Sequence, residues 1–211
     1  VRRFPYAIAN ASGSRTRQAT KPVFGYGSPT TAYGSPMKGA TSQNFNSGTT
    51  PNEYALAFTA PASYGSTFQV GRFAFEMGLA AGHSLLVSLY SGTTPLITRT
   101  LDTDDAGSTS AGLFVERFFG ALPTLTCGST YRLGFAPQDS TNQLLRIVNQ
   151  DAAADWAAFP FGTNCWLSTR SGAGAWTDDF TKRPLIEAII TDLTKPTGGG
   201  GMLVSPGMYG F

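Results

Sequence analysis

Between residues 53 and 194 the apolar positions fall into short runs, many of them alternating with polar residues and separated by turn formers. Alternation with a period of two places one face of a strand in a core and the other toward water. The runs predict strands at Tyr54–Thr59, Phe68–Met77, Leu85–Tyr90, Leu96–Leu101, Gly112–Phe119, Thr130–Ala136, Gln143–Val148, Asn164–Arg170 and Leu185–Leu193. Ser91-Gly92-Thr93-Thr94-Pro95, Asp104-Asp105-Ala106-Gly107-Ser108, Cys127-Gly128-Ser129 and Ser171-Gly172-Ala173-Gly174 separate some of them. Glycine in such turns admits positive φ, and proline removes a backbone donor. In the second run Phe68 and Val70 share one phase, whereas Phe73, Phe75 and Met77 share the other. The switch at Gly71-Arg72 predicts a β-bulge or bend. Only Asp151-Ala152-Ala153-Ala154-Asp155-Trp156-Ala157-Ala158 departs from the β pattern; its alanines behind an Asp cap predict a short helix or helical turn. Strands alternating with long helices are missing, which excludes a doubly wound α/β fold. The expectation is an all-β, jelly-roll-like two-sheet sandwich over residues 53–194.

The flanks read differently. Residues 1–52 lack a helical or alternating pattern, are dense in Gly, Ser, Thr, Pro and Asn, and repeat Tyr26-Gly27-Ser28-Pro29 as Tyr33-Gly34-Ser35-Pro36. Such a segment buries too little apolar area by itself to offset its ordering entropy. Residues 195–211 begin with a hinge at Gly198–Gly201, and an apolar peptide follows with Met202, Leu203, Val204, Met208, Tyr209 and Phe211. An apolar peptide on a tether is expected to enter a groove or add a strand to a neighbour's sheet, unless it folds back on its own sandwich.

Charge sharpens the division. Only 13% of the 211 residues are charged, about half the roughly 25% usual for a soluble domain. Residues 1–52 hold six basic residues (Arg2, Arg3, Arg15, Arg17, Lys21 and Lys38) and no acid, leaving nine basic and thirteen acidic residues for the rest. The net +2 therefore divides into +6 for the arm and −4 for the remainder. The arm is expected to lie along neighbouring subunits, with Phe4, Tyr6, Phe24, Tyr26 and Tyr33 as anchors and Arg2, Arg3, Arg15 and Arg17 meeting acidic surface. Its cations are too sparse for a nucleic-acid arm, so nucleic acid is not an expected partner. No apolar run is long enough to cross a bilayer, and no membrane partner is expected. No apolar h-region follows the opening arginines, and the initial Val1 is compatible with processing, truncation or a GUG start.

Candidate chemistry is thin. One histidine, His83, and two cysteines, Cys127 and Cys165, leave no His-based zinc site and no serine or cysteine triad. His83 sits in a predicted turn and reads as solvated polar surface. Cys127 and Cys165 both lie beside predicted strands, so a disulfide and two free thiols stay open. The paired carboxylates are Asp104-Asp105, Asp151 with Asp155, and Asp178-Asp179. Adjacent aspartates in a strand point to opposite faces, so a glycosidase pair is not expected. The loop Asp102-Thr103-Asp104-Asp105-Ala106-Gly107 resembles a loose calcium loop without the downstream glutamate, and a polar hairpin loop is the plainer reading. No catalytic residue, cofactor or metal is predicted. Trp156, Trp166, Trp176, Tyr90 and Phe159 form the pool for a sugar-stacking platform. Trp176, in a glycine-bounded loop, is the candidate glycan contact, whereas Trp166, in a strand, defaults to core packing.

Several segments together carry a resemblance: Phe73-Ala74-Phe75-Glu76-Met77, Leu85-Leu86-Val87-Ser88-Leu89-Tyr90, Leu101-Asp102-Thr103-Asp104 and Cys127-Gly128-Ser129-Thr130-Tyr131-Arg132-Leu133. Ser168-Thr169-Arg170 with Trp176-Thr177, and Lys182-Arg183-Pro184-Leu185, complete it. Their succession over about residues 54–193 is similar to a jelly-roll-like module of accessory structural proteins in tailed-bacteriophage virions. The cysteine pair departs from that pattern. The resemblance implies a non-enzymatic virion protein: head decoration or cement, head fibre, or tail-associated. Its partners would be other virion subunits and further copies of itself in a homo-oligomer. The alternative is a carbohydrate-binding module that uses loop aromatics on host-surface glycans.

Overall fold

The apolar run around Phe73 forms the longest strand, and the first sheet is built on it. The structure is a computed structural model, and it describes residues 23–25, 40–62, 65–102, 108–149 and 164–194. In chain order the strands begin with β1 (Val23–Gly25), β2 (Ala40–Phe45), β3 (Glu53–Thr59), β4 (Thr67–Leu79), β5 (Ser84–Ser91), β6 (Thr94–Asp102) and β7 (Ser108–Arg117). They continue with β8 (Leu125–Thr126), β9 (Thr130–Pro137), β10 (Gln143–Asn149), β11 (Cys165–Arg170), β12 (Thr177–Asp179), β13 (Lys182–Pro184) and β14 (Ile186–Thr194). All nine predicted strands are present. One sheet has eight strands, in the order β1-β14-β4-β10-β13, with β2 also on β10 and β7 and β8 also on β4. The other has six, in the order β12-β11-β3-β9-β5-β6. Every pairing is antiparallel. The chain is a jelly-roll-like two-sheet β-sandwich.

The inward phases of the two sheets meet in an aromatic core. Phe73 and Phe75 on β4 face Phe135 on β9 at 6.1 and 4.9 Å between ring centres, and Phe114 on β7 stacks on Phe75 at 5.2 Å. The phase switch in β4 is a bulge, as expected. Val70 pairs with Ile190 and Arg72 with Ile189, so Gly71 is the extra residue, and its carbonyl accepts from Phe118 N–H at 3.0 Å. The bulge keeps Phe68 and Val70 before it, and Phe73, Phe75 and Met77 after it, on one buried face.

The sandwich begins before residue 53. β2 pairs with β10 over six residues, from Gln143↔Phe45 to Val148↔Ala40. Its residues 41–44 are exposed, but Phe45 is fully buried, edge-on to Tyr54 at 4.8 Å. β1 pairs with β14, placing Phe24 opposite Ala188. The N-terminal segment thus contributes two strands to the eight-stranded sheet, one on β14 and one on β10. Arg2, Arg3, Phe4, Tyr6, Arg15, Arg17, Tyr26 and Tyr33, the helical turn expected at 151–158, and the tail from Met202 to Phe211 lie outside the described residues.

Candidate functional site: the outer face of the six-stranded sheet

On β3, β9, β5 and β11 one phase fills the core, and the other should meet water. The outward residues of the central strands are small. Ala55 and Ala57 on β3 are 0% exposed and Ser88 on β5 is 1% exposed, so something covers them. Register places Ser168, Ala55, Gly134 and Ser88 in one row across the sheet and Trp166, Ala57, Arg132 and Tyr90 in the next. Small residues in these rows leave a trough that larger side chains can cross.

Arg170 at the end of β11 crosses it. Its Nε donates to Glu53 Oε2 at 2.6 Å, with both side chains less than a tenth exposed. Its guanidinium lies 4.4 Å from the centres of both Tyr90 and Trp176, whose rings meet edge-on at 5.4 Å. Burial pushes the Tyr90 phenol up from its ordinary 10.0, with Ser88 and Glu53 beside its hydroxyl. Trp176 comes from the loop after β11, folds back over the sheet and donates its indole N–H to Gly92 O at 3.0 Å. That placement requires glycine beneath it. A Cβ on Gly134 would lie 2.6 Å from Glu53 Oε1, 3.0 Å from Tyr90 Cε2 and 3.3 Å from Trp176 Cη2. Trp176 is therefore half-buried, with its ring committed to Arg170 and Arg132, and is not the open platform expected from its loop.

Beside this stack, Arg132 on β9 donates from Nη2 to both Asp178 oxygens at 3.1 and 3.0 Å and from Nε to Ser168 Oγ at 2.9 Å. Ser168 Oγ in turn donates to Asp178 Oδ1 at 2.5 Å. Burial acts to raise the Asp178 carboxyl, but the hydrogen bonds from Ser168 and Arg132 outweigh it and hold it below the ordinary 3.8. Trp166 is not a core residue, contrary to its strand default. It stands half-buried on the outer phase, 4.9 Å from the ring of Phe180, which is 59% exposed. Asp178 and Asp179 face opposite ways as alternation requires: Asp179 holds Lys182 at 2.9 Å and accepts from Thr181 N–H at 3.0 Å.

A second polar site lies at one end of the sandwich, in an open cleft of about 340 Å3 lined by Gly82, His83, Ser84, Thr100, Asp102 and Asp139. His83 is not plain solvated surface: its Nδ1 lies 2.8 Å from Asp139 Oδ2. The Thr141 backbone N–H, ahead of His83, holds the Asp139 carboxyl below its ordinary 3.8. A general acid needs the opposite shift. Among the described residues no group of three or more His, Cys, Asp or Glu is placed to hold a metal ion. Asp104 and Asp105 of the calcium-like loop, Asp151, Asp155, Trp156 and Phe159 lie outside the described residues.

Cys127 and Cys165 are not joined in a disulfide, so the bridge that the sequence left open is not formed. Cys165 is buried on the inward phase of β11, whereas Cys127 is half-buried in the turn after β8, where burial raises its thiol above 9.0. Compared with protein-family models, curated proteins and solved structures, the chain matches none.

Proposed function

We propose that this chain is a non-enzymatic accessory structural protein of a virion, a capsid decoration or cement, head-fibre or tail-associated protein. Its N-terminal arm would attach it to other virion subunits and to further copies of itself. The observation that carries this reading is the root of the arm. β2 is hydrogen-bonded along β10 and ends in Phe45, whose ring is 0% exposed in the core. A contact made upstream is thereby coupled to the sandwich, and each tethered contact raises the effective concentration of the next. The upstream residues carry six cations and no acid, whereas the remainder is net −4, so the arm of one copy is attracted to the body of another.

The chemistry of the body agrees with a structural role. Glu53, Glu76, Glu116 and Asp178 are each paired with an arginine: Arg170, Arg146, Arg99 and Arg132. Asp178 is thereby held below its ordinary range as the anion and makes a poor proton donor, whereas burial raises Glu76 above its own range despite Arg146. Quantitative mass spectrometry of purified particles of the encoding virus tests the reading. The chain should be present at a fixed copy number that survives a density gradient. Infected lysate containing the chain alongside purified particles without it would overturn the proposal.

A further inference from the structure

Phe119 and Phe180 are the two strongly exposed rings among the described residues, at 60% and 59%. They differ in what surrounds them. The Phe119 ring is occupied by cations, with the Arg99 and Arg117 guanidiniums 4.6 and 5.0 Å from its centre. Phe180 instead sits against Trp166, tilted by 41°, on the tight turn joining β12 to β13. The turn is braced from below. Arg183, 5% exposed, donates from Nη1 to the carbonyls of Phe180 and Lys182, each at 2.9 Å, while the Asp179 carboxylate accepts from Thr181 N–H and hydroxyl. A buried arginine that fixes the backbone beneath an exposed ring gives a platform that loses little entropy on binding.

We infer that Phe180 and Trp166, with Arg132 and Asp178 beside them, form a binding site for a neutral saccharide. The site is distinct from Trp176, whose ring is internally committed. A pyranose offers an apolar C–H face and a rim of hydroxyls. The aromatic pair supplies the apolar floor. Beside it, the partly exposed Arg132 and Asp178 offer guanidinium N–H groups and carboxylate lone pairs to a hydroxyl that can donate and accept at once, and the fully buried Ser168 fixes both from beneath. The Arg132–Asp178 pair has no net charge, which favours an uncharged sugar over an anionic one. The face is open and shallow, so affinity rests on few contacts and falls near the millimolar range.

Amide chemical-shift titration of the full chain tests this, using neutral oligosaccharides of glucose, mannose, galactose, xylose and N-acetylglucosamine up to about 10 mM. At least one should shift amides of Trp166, Ser168 and the turn at Phe180. Phe180→Ala, at an exposed position, should weaken that binding by about tenfold, while Phe119→Ala leaves it unchanged. Three results would overturn the site: no shift with any sugar, equal losses in the two variants, or wild-type self-association that Phe180→Ala abolishes without any sugar response.

Discussion

Arg170 and Glu53, 117 positions apart in the chain, meet at 2.6 Å beneath the rings of Tyr90 and Trp176. With both side chains less than a tenth exposed, neither charge can turn to water if the other is lost. Glu53→Ala should therefore destabilise the sandwich by about 3–5 kcal/mol in urea unfolding. The apolar pair Glu53→Leu with Arg170→Met should cost clearly less than the single change. Equal or greater loss in the double variant would mean that the ion pair itself, rather than an orphaned charge, carries the stability.

Gly134 is the position that leaves room for Glu53, Tyr90 and Trp176 to pack over the sheet. Gly134→Ala places a carbon 2.6 Å from Glu53 Oε1, closer than such contacts allow, with Tyr90 also within 3.0 Å. The expected outcome is a loss of about 1–3 kcal/mol and release of Trp176 toward water. A red shift of tryptophan emission reports the release, and an unchanged spectrum would contradict the packing described.

Asp178 gives the sandwich a pH dependence with a defined sign. Its folded-state carboxyl lies below the ordinary 3.8, so its contribution is fully present above that value and is lost as pH falls through the folded-state value. Asp178→Asn should remove that part of the slope in thermal unfolding below about pH 4, and lower stability at neutral pH, where Arg132 loses its charged partner. A variant whose acid limb matches the wild type would place the pH dependence elsewhere.

Phe45 should behave as a core residue although it ends a polar strand. Phe45→Ala is expected to cost about 3–5 kcal/mol and to speed amide exchange in residues 41–45. Loss of stability without faster exchange there would separate the ring from the attachment of β2.

Much of the fold was legible because it is local. The alternating runs announced nine strands, and the change of phase at Gly71 announced the bulge. The strands that went unseen are short or polar. β2 reads Ala-Thr-Ser-Gln-Asn-Phe, with a single buried side chain among its described ones, and β8, β12 and β13 span two or three residues. The outer-face site was less legible because it depends on register. Nothing near Glu53 signals Arg170, and nothing near Trp176 signals that Gly134 lies beneath its ring. One sign was present: the outward phases of β3 and β9 carry Ala55, Ala57 and Gly134 where solvent-facing strands usually carry larger polar residues. Small outward residues on central strands mark a covered face.

The claim that the arm attaches this sandwich to a particle is tested most directly by removing residues 1–39, which leaves β2 and Phe45 in place. Copies per purified particle, counted by mass spectrometry alongside the thermal midpoint of the isolated protein, give the answer. The account predicts near-complete loss from particles with the unfolding transition still cooperative. Full occupancy by the shortened chain would contradict it.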